Sequence, residues 1–135
     1  MFHRWISLLI GAATEILLLA ERSFKDGDED AVNRIEPLEE VVDTLCKRLK
    51  ANHIERLQKD ECTILSGFVF SDLLSNLERV ADHCSNISFC VRHGSNINAE
   101  EHRYAESVVN SADFKKFFKE YSEKFVAPLE ETPQS

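Results

Sequence analysis

Glycine and proline are scarce: four and three respectively in a chain of 135 residues. That excludes a turn-rich β fold and any collagenous or low-complexity architecture, and it favours long helices. Phosphate-binding Gly-rich loops, a G-x-S-x-G nucleophile elbow and H-E-x-x-H are all absent, so no known catalytic constellation can be assembled. Basic residues are also in deficit. With 16 Lys and Arg against 24 Asp and Glu, the net charge is −8, and no basic stripe with interleaved aromatics exists to neutralise nucleic-acid phosphates. Cys46, Cys62, Cys84 and Cys90 form no C-x-x-C and no disulfide-scaffold spacing, so they read as reduced thiols of a cytosolic domain. A soft metal site from His83, Cys84, Cys90 and His93 fails on geometry, because adjacent helical residues point about 100° apart.

A long hydrophobic run is nearly present, at the amino terminus, where Trp5 to Ala20 follows a short basic start. Glu15 interrupts it, and the run falls short of the roughly 20 residues a membrane span needs. The apolar residues Ile6, Leu9, Ala13, Ile16, Ala20 and Phe24 recur at threes and fours, the signature of a helix packed in a bundle. Leu8, Leu18 and Leu19 make other faces apolar as well. The sequence leaves open a membrane or interface contact for this helix; as a soluble helix it must cover more than one neighbour, so the chain is not expected to work as a free monomer.

What remains is one domain with a core of its own, 43% apolar and 30% charged. Helices are expected over about 2–23, 28–58 and 63–92. The stops are at Gly27, the stretch around Asp60 and Gly94, with Asp28 and Thr63 as N-caps. Pro37 lies inside the second helix and should kink it or mark a false start. The core stripes are Ile35, Leu38, Val42, Leu45 and Leu49 on the second helix, and Phe70, Leu74, Leu77, Ala81, Cys84, Ile87 and Val91 on the third. A shorter helical hairpin over about 99–125, divided near Ser111, closes the bundle with Phe114, Phe117, Phe118, Tyr121 and Phe125. The domain is expected to span 1–126 and a disordered tail 127–135.

Two copies of one pattern stand out, Glu39-x-x-x-Asp43 and Glu78-x-x-x-Asp82. Residues at i and i+4 are neighbours on a helix face. Glu39 with Asp82, and Asp43 with Glu78, are placed symmetrically about a midpoint between Asp60 and Glu61. A tight turn there would bring all four acids to one level of an antiparallel hairpin. Crowded carboxylates resist joint ionisation, so such a site stays wet, recruits basic partners or binds a hard cation. Glu39, Asp43, Glu78 and Asp82 are therefore the candidate metal ligands, for magnesium, manganese or iron rather than zinc or copper. His53 lies about 21 Å along the helix axis from Glu39 and cannot join them; a hairpin-end or surface role is expected for it. Either acidic pair alone would be an ordinary solvated helix face.

The run from Phe70 to Ile87, FSDLLSNLERVADHCSNI, resembles the signature helix of PhoU-like domains, above all the cytoplasmic C-terminal domain of bacterial sodium/phosphate cotransporters. His53-Ile54-Glu55-Arg56-Leu57, the break before Cys62, and Glu39-Glu40-Val41-Val42-Asp43 follow in matching order. So do Glu101-His102-Arg103-Tyr104 and the phenylalanine-rich segment after them. The resemblance runs from about residue 12 onward, with the Leu77 to Ile87 block the specific part. It implies an all-α bundle built on a three-helix repeat, metal-binding acidic motifs at Glu39, Asp43, Glu78 and Asp82, and a part in controlling phosphate uptake. The implied partners are a transporter membrane domain at the inner face of the cell membrane or a second copy. Neither nucleic acid nor a small-molecule substrate is expected, and the chain is not expected to be an enzyme. Two departures stand. The full family protein has two repeats and this chain has room for one, and the cotransporter's membrane domain is not in this sequence, so this chain alone is not expected to carry phosphate. The runner-up reading is a metal-free interaction module whose acids pair with Lys or Arg of a partner.

Overall fold

The computed structural model describes residues 2–93 and 111–130. Three long helices come first: α1 (Phe2–Asp26), α2 (Glu29–Gln58) and α3 (Ile64–His93). They pack pairwise as an antiparallel bundle. A shorter helix, α4 (Ala112–Tyr121), continues through a π-helical turn at Ser122–Val126 into α5 (Ala127–Glu130). Among the described residues there is no strand, and no helix is long and apolar enough to cross a membrane.

The breaks at Gly27 and Asp60 fall where the sequence puts them, for local reasons, while the expected stop at Gly94 lies outside the described residues. Gly27 takes φ +60° just past α1, a left-handed conformation that costs glycine nothing. Asp28 then caps α2, its carboxylate accepting from the Asp30 and Ala31 amides at 3.0 and 3.3 Å, and it also holds Arg22 at 3.0 Å. At the α2–α3 turn Asp60 takes φ 56°, and Thr63 Oγ1 accepts from the Ser66 amide at 3.1 Å. Ser111 caps α4 through the Phe114 amide at 3.1 Å.

Pro37 does not divide α2, which runs unbroken through it. The ring is fully buried, so apolar burial offsets the one lost backbone donor. The expected tail also begins too early: Ala127–Glu130 is helical and Leu129 is buried. The first arm of the expected hairpin, 99–110, and residues 131–135 lie outside the described residues.

Leu9, Ile16, Ile35, Leu38, Val41, Leu45 and Leu74 form the heart of the core, each completely buried. Three expected core residues are not in it: Phe24 is 76% exposed and Ile87 39%, and Val91 is only partly buried, in the groove beside them. On a helix of 3.6 residues per turn a step of three turns about −60° and a step of four about +40°, so the choice of one step decides which of two adjacent residues faces inward. Near the end of α1 the inward position falls to Ser23, whose hydroxyl bonds the Leu19 carbonyl at 2.8 Å. On α3 it falls to Ser88, whose hydroxyl bonds the Val32 carbonyl at 3.2 Å.

The α4 segment lies on α2 through buried Phe114, Phe117 and Tyr121. Arg34 of α2 clamps it, with its guanidinium 4.2 Å from the Phe117 ring centre and 3.4 Å from the Tyr121 hydroxyl. Arg48 to Glu130 at 2.7 Å and Lys124 to Glu15 at 2.8 Å tie down the far end. This leaves the α2–α3 edge, where the acids are, uncovered by α4 and α5.

Candidate functional site

Glu39 and Asp43 rise from α2, Glu78 and Asp82 from α3, and all four line one cleft of about 150 Å³ together with Val42, Arg79 and Ala81. The antiparallel hairpin explains the meeting. With α2 ending at Gln58 and α3 starting at Ile64, residues equidistant from the turn stand at equal height. Glu36 and Ser85 form a further rung of the same ladder, joined by a hydrogen bond from the Ser85 hydroxyl to the Glu36 carboxylate. Sequence reasoning missed this rung. The signal was available, since 36 and 85 are symmetric about the same midpoint and lie three residues beyond Glu39 and Asp82.

Electrostatically the cleft sets four carboxylates against the single guanidinium of Arg79. The Glu39 carboxyl is pushed up to about 8, first by burial and then by Glu40, Glu36, Asp82 and Asp43. Near neutral pH it is therefore largely protonated, as expected when several carboxylates share a small, partly dry volume. Burial also raises the Glu36 carboxyl; the Ser85 hydroxyl opposes this, while Glu40 and Asp82 add to it. Two acids already have cationic neighbours. Lys50 reaches across the hairpin to Glu78 at 2.9 Å, and Lys47 pairs with Asp43 at 2.8 Å one turn along α2.

The donor set is suited in kind to a hard cation. Every candidate ligand is a carboxylate oxygen, and the positive charge the cluster lacks is what would allow Glu39 to ionise. Soft ligation is disfavoured, since Cys46 beside the cleft is buried and its thiol is pushed up to about 12, mainly by that burial. In the present rotamers, however, no group of three or more His, Cys, Asp and Glu among the described residues is set to hold a metal ion. Coordination therefore requires Glu78 and Asp43 to turn from Lys50 and Lys47.

Other candidates separate cleanly. Cys84 is buried while Cys90 is exposed, so the thiols beside His83 and His93 do not gather. His53 does sit at the hairpin end, but it is not a surface residue. It is 9% exposed, tilted against Phe70 with ring centres 5.1 Å apart, and its Nδ1 is 3.9 Å from Cys62 Sγ. A larger cleft of about 590 Å³ lies between α1, α2 and Tyr121. Its two arginines are already engaged, Arg22 by Asp28 and Arg34 by Asp30.

With this geometry in view, comparison with known families is informative. A model of the PhoU domain matches residues 6–91, covering all but the ends of the three-helix bundle and both acidic motifs. The chain belongs to the PhoU domain family. No curated protein and no solved structure gives a significant match.

Proposed function

We infer that this PhoU-domain chain is a non-enzymatic regulatory module of phosphate uptake, acting at the cytoplasmic side of a sodium/phosphate cotransporter and taking a hard cation in its α2–α3 cleft. One observation carries the metal part of the reading. Four carboxylates line a single cleft, in which burial first, and then Glu40, Glu36, Asp82 and Asp43, push the Glu39 carboxyl up to about 8. Glu39, Asp43, Glu78 and Asp82 would hold the ion, with magnesium, manganese or iron as the fitting classes. A bound cation would supply the positive charge that lets all four ionise together. On the protein side, Glu39 gives up its proton, and Asp43 and Glu78 leave Lys47 and Lys50. The freed ammonium groups then alter the charge presented along the α2–α3 edge, a local electrostatic change of the kind a regulatory contact can read. The transporter association rests on the resemblance of the Leu77 to Ile87 block to cotransporter domains and on family membership.

The test compares melting temperatures with and without manganese or iron(III) for the wild type and for Glu78→Ala/Asp82→Ala. A metal-induced rise in the wild type that the double variant loses is the expected result, because a ligand that binds only the folded state stabilises it. Equal shifts in the two proteins would remove the metal from this cleft. The metal-free module is the second reading, favoured by the Lys50 to Glu78 pair, in which a lysine already does what a partner's lysine would do. It predicts no metal-induced shift in the wild type.

A further inference from the structure

A second cluster of reactive side chains lies outside the acidic cleft, at the α2–α3 turn. Cys62 stands between the two helices, one residue before the capping Thr63, and is partly exposed. Its Sγ is 3.9 Å from Nδ1 of His53, within hydrogen-bonding range for sulfur. His53 belongs to the last two turns of α2 and is 9% exposed. Its ring has a built seat. Gly67 of α3 leaves room for it, since a Cβ there would stand 2.8 Å from Nε2 and 3.2 Å from Cε1. Phe70, one turn further along α3, packs against the ring with centres 5.1 Å apart. Two helices thus fix the imidazole, while the thiol it faces stays open to solvent. The other thiols differ. Cys46 is buried, lies 3.9 Å from the Leu74 carbonyl and is pushed up to about 12, mainly by burial. Burial also raises the Cys84 thiol, and Cys90 is exposed on α3.

We propose that Cys62 is a thiol-modification site, at which His53 serves as the base and a low-molecular-weight disulfide is the co-substrate. Thiol–disulfide exchange needs a soft nucleophile, an acceptor for its proton and a proton donor for the departing sulfur. One imidazole meets both proton requirements. Nδ1 takes the Cys62 proton as Sγ bonds to one sulfur of the disulfide. The S–S bond breaks, and the second sulfur leaves with the electron pair and collects that proton as a free thiol. Cys62 is left as a mixed disulfide, no further oxidant is consumed, and another thiol reverses the step by the same route. For Nδ1 to accept, the neutral ring carries its hydrogen on Nε2. Exposure of Cys62 admits the disulfide, and the seat on Gly67 and Phe70 keeps the ring on the thiol rather than in water. Cys46 and Cys84 fail the first of these conditions and act as small packing residues. The adduct stands at the turn that sets the level of Glu39, Asp43, Glu78 and Asp82, so the hairpin carries a reversible mark outside its cleft. The inference stands independently of metal binding.

Exchange of the full chain with glutathione disulfide near neutral pH, with a chelator present and each cysteine followed by peptide mass spectrometry, tests it. Folded Cys62 should form the mixed disulfide roughly tenfold faster than the same residue in the chain unfolded in urea, a modest part of what a positioned base contributes. Cys46 and Cys84 should be slower folded than unfolded, and dithiothreitol should remove the Cys62 adduct. His53→Gln should bring Cys62 to its unfolded rate or below, while Cys90 keeps its own. The sign separates a base from a packing residue, because loosening the turn exposes Cys62 and speeds it, whereas losing the base slows it. A folded Cys62 that gains no rate over the unfolded one overturns the proposal, and that comparison needs no variant. A His53→Gln chain of unchanged far-UV helicity in which Cys62 reacts as fast as in the wild type, or faster, overturns it as well.

Discussion

Replacing Glu39 with glutamine removes the most perturbed carboxyl of the cleft without changing its shape. An acid whose folded-state pKa is raised destabilises the fold when it ionises. Below its ordinary 4.5 both folded and unfolded chains hold the proton, and the group is neutral in the balance. Between 4.5 and about 8 the unfolded chain releases the proton while the folded chain keeps it, so stability falls as pH rises. Above about 8 both are ionised and the penalty is complete. Taken at full strength, a move from 4.5 to about 8 corresponds to about 5 kcal/mol. Glu39 is only half-buried, and Lys50 and Lys47 stand nearby on Glu78 and Asp43. Solvent and these cations reduce the figure to about 2 kcal/mol.

In chelator, then, the advantage of Glu39→Gln over the wild type should widen from under about 1 kcal/mol at pH 5 to about 2 kcal/mol at pH 9, the latter roughly 6 °C in melting temperature for a chain of this length. Calorimetry or circular-dichroism melting at pH 5, 7 and 9 reads the difference directly. The groups facing Glu39 are Glu36, Glu40 and Asp43 on its own helix and Asp82 on α3, and glutamine leaves each in place. Parallel pH profiles for the two proteins, offset or not, would refute the raised Glu39 carboxyl, because the gap must widen between pH 5 and 9.

Two further outcomes probe the frame that holds the cleft. Gly67→Ala would place a methyl 2.8 Å from His53 Nε2, and that ring is confined against Phe70; the loss should be about 1–3 kcal/mol in urea unfolding. The same substitution made in a His53→Ala background should lose much less, and an equal loss in both would deny that the His53 ring is the obstacle. Asp28→Ala removes the α2 cap and the partner of Arg22, which should cost about 1 kcal/mol in chemical denaturation. A change below a few tenths would mean the cap contributes nothing net.

How far the sequence could be read follows from what each feature depends on. Helix ends depend on one or two residues and their φ preference, so Gly27, Asp28, Thr63 and Ser111 announced them. The level meeting of Glu39, Asp43, Glu78 and Asp82 depends only on a straight antiparallel hairpin with its turn near Asp60, which is arithmetic on residue numbers. Orientation of individual side chains was not legible in that way. That Lys50 and Lys47 take Glu78 and Asp43, or that the Ser85 hydroxyl takes Glu36, depends on rotamers chosen by tertiary surroundings. The π-helical turn at Ser122–Val126 and the burial of Leu129 depend on how α4 seats against α2, and no local signal encodes that.

The misplacement of Phe24 and Ile87 has a different cause. Periodic stepping in threes and fours cannot tell an inward stripe from the flank beside it, because the two diverge by only tens of degrees per heptad. One small polar residue decides the matter at each place. Ser23 and Ser88 can enter the core because each hydroxyl finds a backbone carbonyl, which removes the penalty of burying it. Phe24 and Ile87 are thereby turned outward. Two serines that sequence patterning counts as surface residues thus set where the apolar flank of α1 and α3 opens. Replacing both with alanine would keep them small and leave the flank outward. A bulky Leu at 23 or 88 would have to force the inward position open, at the 1–3 kcal/mol typical of overpacking.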